Sequence, residues 1–235
     1  MATIYLIRHG QASFGAADYD KLSELGERQA KALGTYLARQ GIKLDAAYSG
    51  DLLRQRKTAE LALASQPQKV NHRIDSRFNE IRNEEQIEHL LPQLMERDPA
   101  LRALVDKGLA DSKTYQKVIE AVFNYWVSPA CKEPAIQSWE DYATAARDAL
   151  QELMSEQGAG KTIAVFSSGG TIATLVAQVL GLGGEHTYKF YEPIFNCSVT
   201  QLFYSRDRVS LSYFNDRSFL QIMGNELGEN LVSYR

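Results

Sequence analysis

Ile4-Tyr5-Leu6-Ile7-Arg8-His9-Gly10-Gln11 is the stretch on which the reading of this chain turns. Four bulky apolar residues stop at an arginine, a histidine and a glycine. A short unbroken apolar run of this kind fits a strand buried on both faces, as in the middle of a parallel sheet. Charged side chains at the carboxyl end of such a strand stand where open α/β sheets bind their ligands. The glycine permits a sharp turn and a close approach of backbone to a bound group. Arg-His-Gly alone also fits an ordinary solvated strand end, so the rest of the chain has to decide.

Outward from that stretch, Gln11 to Leu22 reads as a polar loop. Ser23 is placed as an N-cap ahead of Leu25, Ala32, Leu33, Tyr36 and Leu37, which recur at helical spacing until Gly41. Leu44 to Tyr48 reads as a short strand, and Ser49-Gly50-Asp51 as a turn and helix cap. A helix is expected from about Leu52 to about Ser65, with Pro67 beyond it. Arg54 then falls in the first turn of a helix, at the same sheet edge as His9. Val70 to Ile74 is expected as a third strand, with Glu80 just past its end.

From Ile81 to Gln137 the pattern changes to short amphipathic helices, carried by Ile87, Leu90, Leu91 and Leu94 and later by Val118, Val122 and Tyr125. Pro92, Pro99, Pro129 and Pro134 punctuate them. This is expected to be a helical insertion, at about 81–137, in a single domain spanning 1–235. Ser138-Trp139-Glu140-Asp141 has capping-box spacing and opens a helix that runs to Gly158. Thr162 to Phe166 is another apolar strand, and Ser167 to Gly170 turns into a helix from Thr171 to Leu180. Val199–Tyr204 and Val209–Phe214 read as a hairpin at a sheet edge. Beyond Asn215 the pattern assigns nothing. Strands alternating with helices give an α/β fold with a mostly parallel sheet.

Arg8-His9-Gly10 after an N-terminal apolar strand resembles the signature of the histidine phosphatase superfamily, also called phosphoglycerate mutase-like. Leu22-Ser23-Glu24-Leu25-Gly26-Glu27-Arg28-Gln29-Ala30 resembles the helix after the signature loop. Asp51-Leu52-Leu53-Arg54-Gln55-Arg56-Lys57-Thr58-Ala59 resembles the segment with the second phosphate-binding arginine, which falls on Arg54. Arg77-Phe78-Asn79-Glu80 resembles the segment with the acidic residue, which falls on Glu80, and Asn196-Cys197-Ser198-Val199-Thr200 also fits. The resemblance spans nearly the whole chain. It implies a three-layer α/β/α core and phosphoryl transfer through a phosphohistidine, without a metal. It departs at one place: members carry a second histidine in a Ser-His-Gly-Gly context, and here Phe166-Ser167-Ser168-Gly169-Gly170 puts Ser168 there.

The chemistry of the residues points the same way. Phosphoryl transfer needs a nucleophile, charge stabilisation on three oxygens and a proton for the leaving group. His9 can attack if one ring nitrogen is held as a donor. Arg8 and Arg54 offer planar forks matched to phosphate oxygens. Glu80 can protonate the leaving oxygen if its surroundings raise its pKa. Ser168 can donate one hydrogen bond, and the backbone N–H groups of Gly169 and Gly170 at a helix start would add anion binding.

Composition narrows the field. With 44% hydrophobic and 23% charged residues, and a net charge of −3, the 235-residue chain gives no reason to expect nucleic acid or an anionic membrane as partner. Cys131 and Cys197 lack paired spacing, and His72, His89 and His186 fit no metal-ligand pattern, so no metal or cofactor is expected. No apolar run approaches the ~20 residues of a membrane span. Removal of a signal peptide would take away the first strand and His9, so a cytoplasmic location is expected. Between 81 and 137 acidic residues outnumber basic ones, which suits a substrate with one phosphate, whether a small metabolite or a phosphoprotein. It argues against a phosphoglycerate mutase, whose arginine pair in this region has no counterpart here. Two rivals remain: a phosphate-binding or regulatory protein with a weakened site, and a serine hydrolase using Ser168. The second would need a glycine where Phe166 stands.

Overall fold

The structure is a computed structural model that describes residues 1–13, 20–108 and 112–234. A six-stranded sheet runs in the order β3-β2-β4-β1-β5-β6, with β1 Ala2–Arg8, β2 Ala46–Ser49, β3 Asn71–Ile74, β4 Thr162–Ser167, β5 Val199–Ser205 and β6 Arg208–Asp216. β3, β2, β4 and β1 are parallel to one another; β5 is antiparallel to β1, and β6 to β5. The mostly parallel α/β fold is therefore as expected, and the hairpin supplies the two antiparallel strands.

Alternation along the central strands explains the layers. Ile4 and Leu6 of β1, with Ile163 and Val165 of β4, face one buried cluster. Tyr5 and Ile7, with Ala164 and Phe166, face the other. Helices α6 (Trp139–Gln157) and α7 (Gly169–Val179) cover the first face, and α1 (Glu24–Arg39), α2 (Leu53–Leu63) and α9 (Ser218–Leu227) cover the second. Both faces of β1 are buried because every residue from Ile4 to Ile7 is apolar, and this is why the run shows no polar alternation.

Local signals act where their chemistry demands. Ser23 Oγ accepts from Gly26 N at 3.0 Å to start α1, and Ser138 Oγ accepts from Asp141 N at 3.0 Å to start α6. Gly10 packs against Gly26, so that a Cβ at either position would run into the other's backbone or that of Gln11. This contact fixes the turn after β1 against the start of α1.

Among the described residues, the remaining α-helices are α3 (Asn83–Arg97), α4 (Pro99–Asp106), α5 (Ser112–Trp126) and α8 (Thr187–Tyr191). Their apolar faces enclose a third cluster around Leu90, Val118, Phe123 and Trp126, which also receives Tyr142 and Tyr188. Pro92 lies inside α3 and does not end it. Leu90 and Leu91 are buried there, and this packing offsets the one helical bond that a proline cannot make.

Two differences from the sequence reading bear on the site. α7 begins at Gly169 instead of Thr171, because both glycines adopt helical backbone directly after Ser168. Asp51 does not cap α2; it exchanges hydrogen bonds with Asn79, at 2.8 Å (Asp51 N to Oδ1) and 2.6 Å (Nδ2 to Asp51 Oδ1). The α2 start is satisfied from elsewhere, as the site makes clear. Of the loop expected from Gln11 to Leu22, residues 14–19 lie outside the described residues. Its ends meet through an Ala12–Leu22 bridge and a Ser13 N to Lys21 O bond of 2.8 Å.

Candidate active site

The carboxyl ends of β1, β2 and β4 bring together residues that the sequence separates by up to 160 positions. His9 continues β1 by donating its N–H to the Ser167 carbonyl at 2.9 Å. Its own carbonyl accepts from Cys197 N at 3.2 Å and from Asn196 Nδ2 at 3.4 Å. Cys197 adopts positive φ (54°), uncommon for a side-chain-bearing residue, to deliver that bond. Burial pushes the Cys197 thiol well up, which favours its protonated form.

The His9 ring is buried, with Nδ1 2.7 Å from the Gly10 carbonyl. A carbonyl can only accept, so Nδ1 carries the hydrogen and Nε2 keeps its lone pair. Arg54 Nε donates to that Nε2 at 3.2 Å. Burial first, then the charges of Arg54 and Arg8, hold His9 well below the usual imidazole range. The ring is neutral at neutral pH.

Arg54 owes its place to Asp20. The Asp20 carboxylate accepts from Arg54 Nη1 at 2.7 Å and from the α2 amides of Leu53 at 2.7 Å and Arg54 at 3.4 Å. One carboxylate, from the loop between β1 and α1, thus caps α2 and clamps the guanidinium on its first turn. Thr58, one turn on, accepts from Gly10 N at 3.0 Å and donates to the Arg54 carbonyl at 2.7 Å, tying α2 to the turn after β1. Arg8 is anchored by carbonyls of Ile194 and Tyr234, the latter at 3.2 Å from Nη1. The chain's last residues therefore reach the site.

Glu80 lies beyond β3 and packs beside α7. Its Oε1 accepts from Ile81 N at 2.9 Å and Gly170 N at 3.0 Å. Burial raises its pKa, outweighing Arg54, Arg8 and the two amide bonds that favour the anion. The phenols of Tyr142, which is buried, and Tyr191, which is partly buried, lie close enough to feel its charge. Because Gly170 N is committed to Glu80, it is not an open anion-binding donor as the sequence reading had it. Gly169 sits in the first turn of α7 against the Tyr191 ring and within reach of Arg8.

Ser168 is fully buried, and its Oγ accepts from Gln55 Nε2 at 2.8 Å. Sequence reading did not single out Gln55 or Asp20. Gln55 directly follows Arg54 in a helix, where its buried face was the available signal; Asp20 lies in a loop and carried none. His72, which fits no metal-ligand pattern, contacts Ser49 Oγ at 2.9 Å through Nε2.

The branch 1 model of the histidine phosphatase superfamily matches residues 4–107 and 90–217. The chain belongs to this superfamily. Among curated relatives, the 2,3-bisphosphoglycerate-dependent phosphoglycerate mutase of Mesorhizobium japonicum is 28% identical over 199 residues, covering 80% of this chain and 85% of the mutase. The superfamily fold recurs in a phosphoserine phosphatase from Entamoeba histolytica solved with 3-phosphoglyceric acid, with a TM-score of 0.65 and 19% identity over 94% of this chain and 100% of that one. A mycobacterial glucosyl-3-phosphoglycerate phosphatase gives a TM-score of 0.59 and 24% identity over 91% and 98%. Both likenesses are of fold.

Proposed function

We propose that this superfamily member is a phosphatase that hydrolyses phosphate monoesters through a phosphohistidine on His9. The observation that carries the reading is the Nδ1 contact with the Gly10 carbonyl, which leaves Nε2 as the attacking atom beside Arg54. Nε2 forms a bond to phosphorus as the ester P–O bond breaks. The Glu80 proton passes to the departing oxygen; with Oε1 taken by two amides, Oε2 is the oxygen that carries it. A water then attacks phosphorus and returns a proton to Glu80. The P–N bond breaks, leaving inorganic phosphate and neutral His9.

Arg8 and Arg54 meet the charge on the transferring oxygens, with Ser168 and the Gly169 amide as further donors, so the reading calls for no metal. A neutral hydroxyl at Ser168 stabilises that charge less than an imidazolium would, and slow turnover on generic esters is expected. Incubation with an aryl phosphate should leave acid-labile phosphate on His9 and none on a His9→Ala variant.

A second reading, favoured by the sequence similarity to phosphoglycerate mutases, is transfer of the phosphoryl group between positions of one substrate. The excess of acidic side chains between 81 and 137 supports hydrolysis of singly phosphorylated compounds instead. Interconversion of 3- and 2-phosphoglycerate at a rate above hydrolysis would favour the mutase.

A further inference from the structure

Gln55 is a fully buried polar residue of the site to which phosphoryl transfer, as set out above, gives no task. Its carboxamide orientation is fixed. Nε2 donates to the Phe78 carbonyl at 3.1 Å and to Ser168 Oγ at 2.8 Å, and the flipped amide would set carbonyl against carbonyl. The cost of this orientation is visible at the other end, where Oε1 is buried without a hydrogen-bond partner. Such an orphan in a native interior calls for an explanation.

Ser168 supplies one. It holds the N-cap position of α7, where a serine oxygen ordinarily accepts from an amide of the first turn. Here it makes no such bond. Its oxygen is held by Gln55 instead. A hydroxyl that accepts from Gln55 cannot aim its hydrogen there. Among the hydrogen bonds of the described residues, Ser168 donates none. The hydrogen is left over at the start of α7, one residue past the carbonyl that holds His9 in register.

We propose that Gln55 is a positioning residue that holds the Ser168 oxygen as an acceptor, so that the Ser168 hydroxyl donates its hydrogen to an oxyanion bound over His9. This rests on the phosphate-site reading above. Ser168 touches the ligand; Gln55 acts through it.

The test is a double-mutant cycle on the full chain with Ser168→Ala and Gln55→Leu. It is read as orthovanadate affinity and as the kcat and KM for p-nitrophenyl phosphate. Ser168→Ala should lose about 10²–10³-fold in kcat, the loss of one transition-state donor, and Gln55→Leu part of that, each with a parallel loss in vanadate affinity and little change in KM. The double variant should lose no more than Ser168→Ala alone, because Gln55 has nothing left to act through. Should Gln55→Leu fail to fold, Gln55→Met preserves the side-chain length without the donor and completes the cycle. Losses that simply add, or a Gln55 variant with wild-type affinity and kcat, overturn the proposal. Wild-type protein that binds vanadate but never phosphorylates His9 would sink the phosphatase reading, while the cycle in vanadate affinity still decides the role of Gln55. Failure to bind vanadate at all would overturn both.

Discussion

Arg54 Nε donates to His9 Nε2 across 3.2 Å, so the guanidinium rests on the lone pair that the imidazole would use in attack. For a phosphoryl group to be captured, this N–H has to move from the ring to a phosphoryl oxygen while Asp20 keeps its hold on Nη1. A lysine has no second edge with which to do both. Arg54→Lys is therefore expected to lower kcat by ~10²–10³, the usual effect of losing a transition-state donor. Steady-state kinetics on an aryl phosphate check it, and a loss below threefold would remove Arg54 from the phosphoryl site.

Asp20 should matter twice. Asp20→Ala removes both the cap of α2 and the clamp on Arg54. A lost cap costs about 1 kcal/mol of stability, and a wandering guanidinium should raise KM more than it lowers kcat. Thermal melts and kinetics separate the effects. Unchanged KM would mean that Thr58 and the α2 backbone suffice to place Arg54.

The pH dependence has a definite sign. The proposed mechanism needs His9 neutral and Glu80 protonated. Burial and two guanidiniums lower the His9 pKa, so the rate rises with pH at a point well below the usual imidazole value. Burial raises the Glu80 pKa, so the rate falls with increasing pH later than an ordinary carboxyl would dictate. The optimum of kcat/KM should lie on the acid side of neutral, and Glu80→Gln should abolish the descending limb. The same variant should be least impaired on esters whose leaving group needs no proton. An optimum above pH 8 would contradict the assignment of Glu80.

Much of the fold was legible because the decisive strands are continuous apolar runs. Ile4–Ile7 and Ile163–Phe166 must be buried on both faces, which forces helices onto each side of the sheet. The Ser23 and Ser138 caps were legible for a different reason, since each partner lies three residues away. What escaped depends on long-range partners. Asp20 caps a helix 33 residues later, and Gln55 meets Ser168 across 113 residues. Asp51 has the chemistry of a cap but finds Asn79 instead. Helix α9 carries a helical signal of its own: Phe219, Leu220 and Met223 share one face and are buried.

Ser168 also allows a gain-of-function trial. If Ser168 stands where the superfamily pattern places its second histidine, an imidazole there must compete with the Gln55 carboxamide, now 2.8 Å from the serine oxygen. Ser168→His alone should overpack the site at a cost of about 1–3 kcal/mol. Ser168→His combined with Gln55→Ala vacates the space and should raise kcat on an aryl phosphate by roughly tenfold or more. A double variant that folds normally and gains nothing would show that Ser168 does not occupy that place.

Single-turnover trapping asks whether His9 carries the phosphoryl group. The protein is mixed with a phosphate-labelled aryl phosphate in the presence of a chelator, quenched with alkali, and the peptide containing His9 is sequenced by mass. The expected result is an alkali-stable, acid-labile phosphate on His9, formed no more slowly than kcat and absent from His9→Ala. Hydrolysis that proceeds at the same rate in His9→Ala, or label found on another residue, would contradict it.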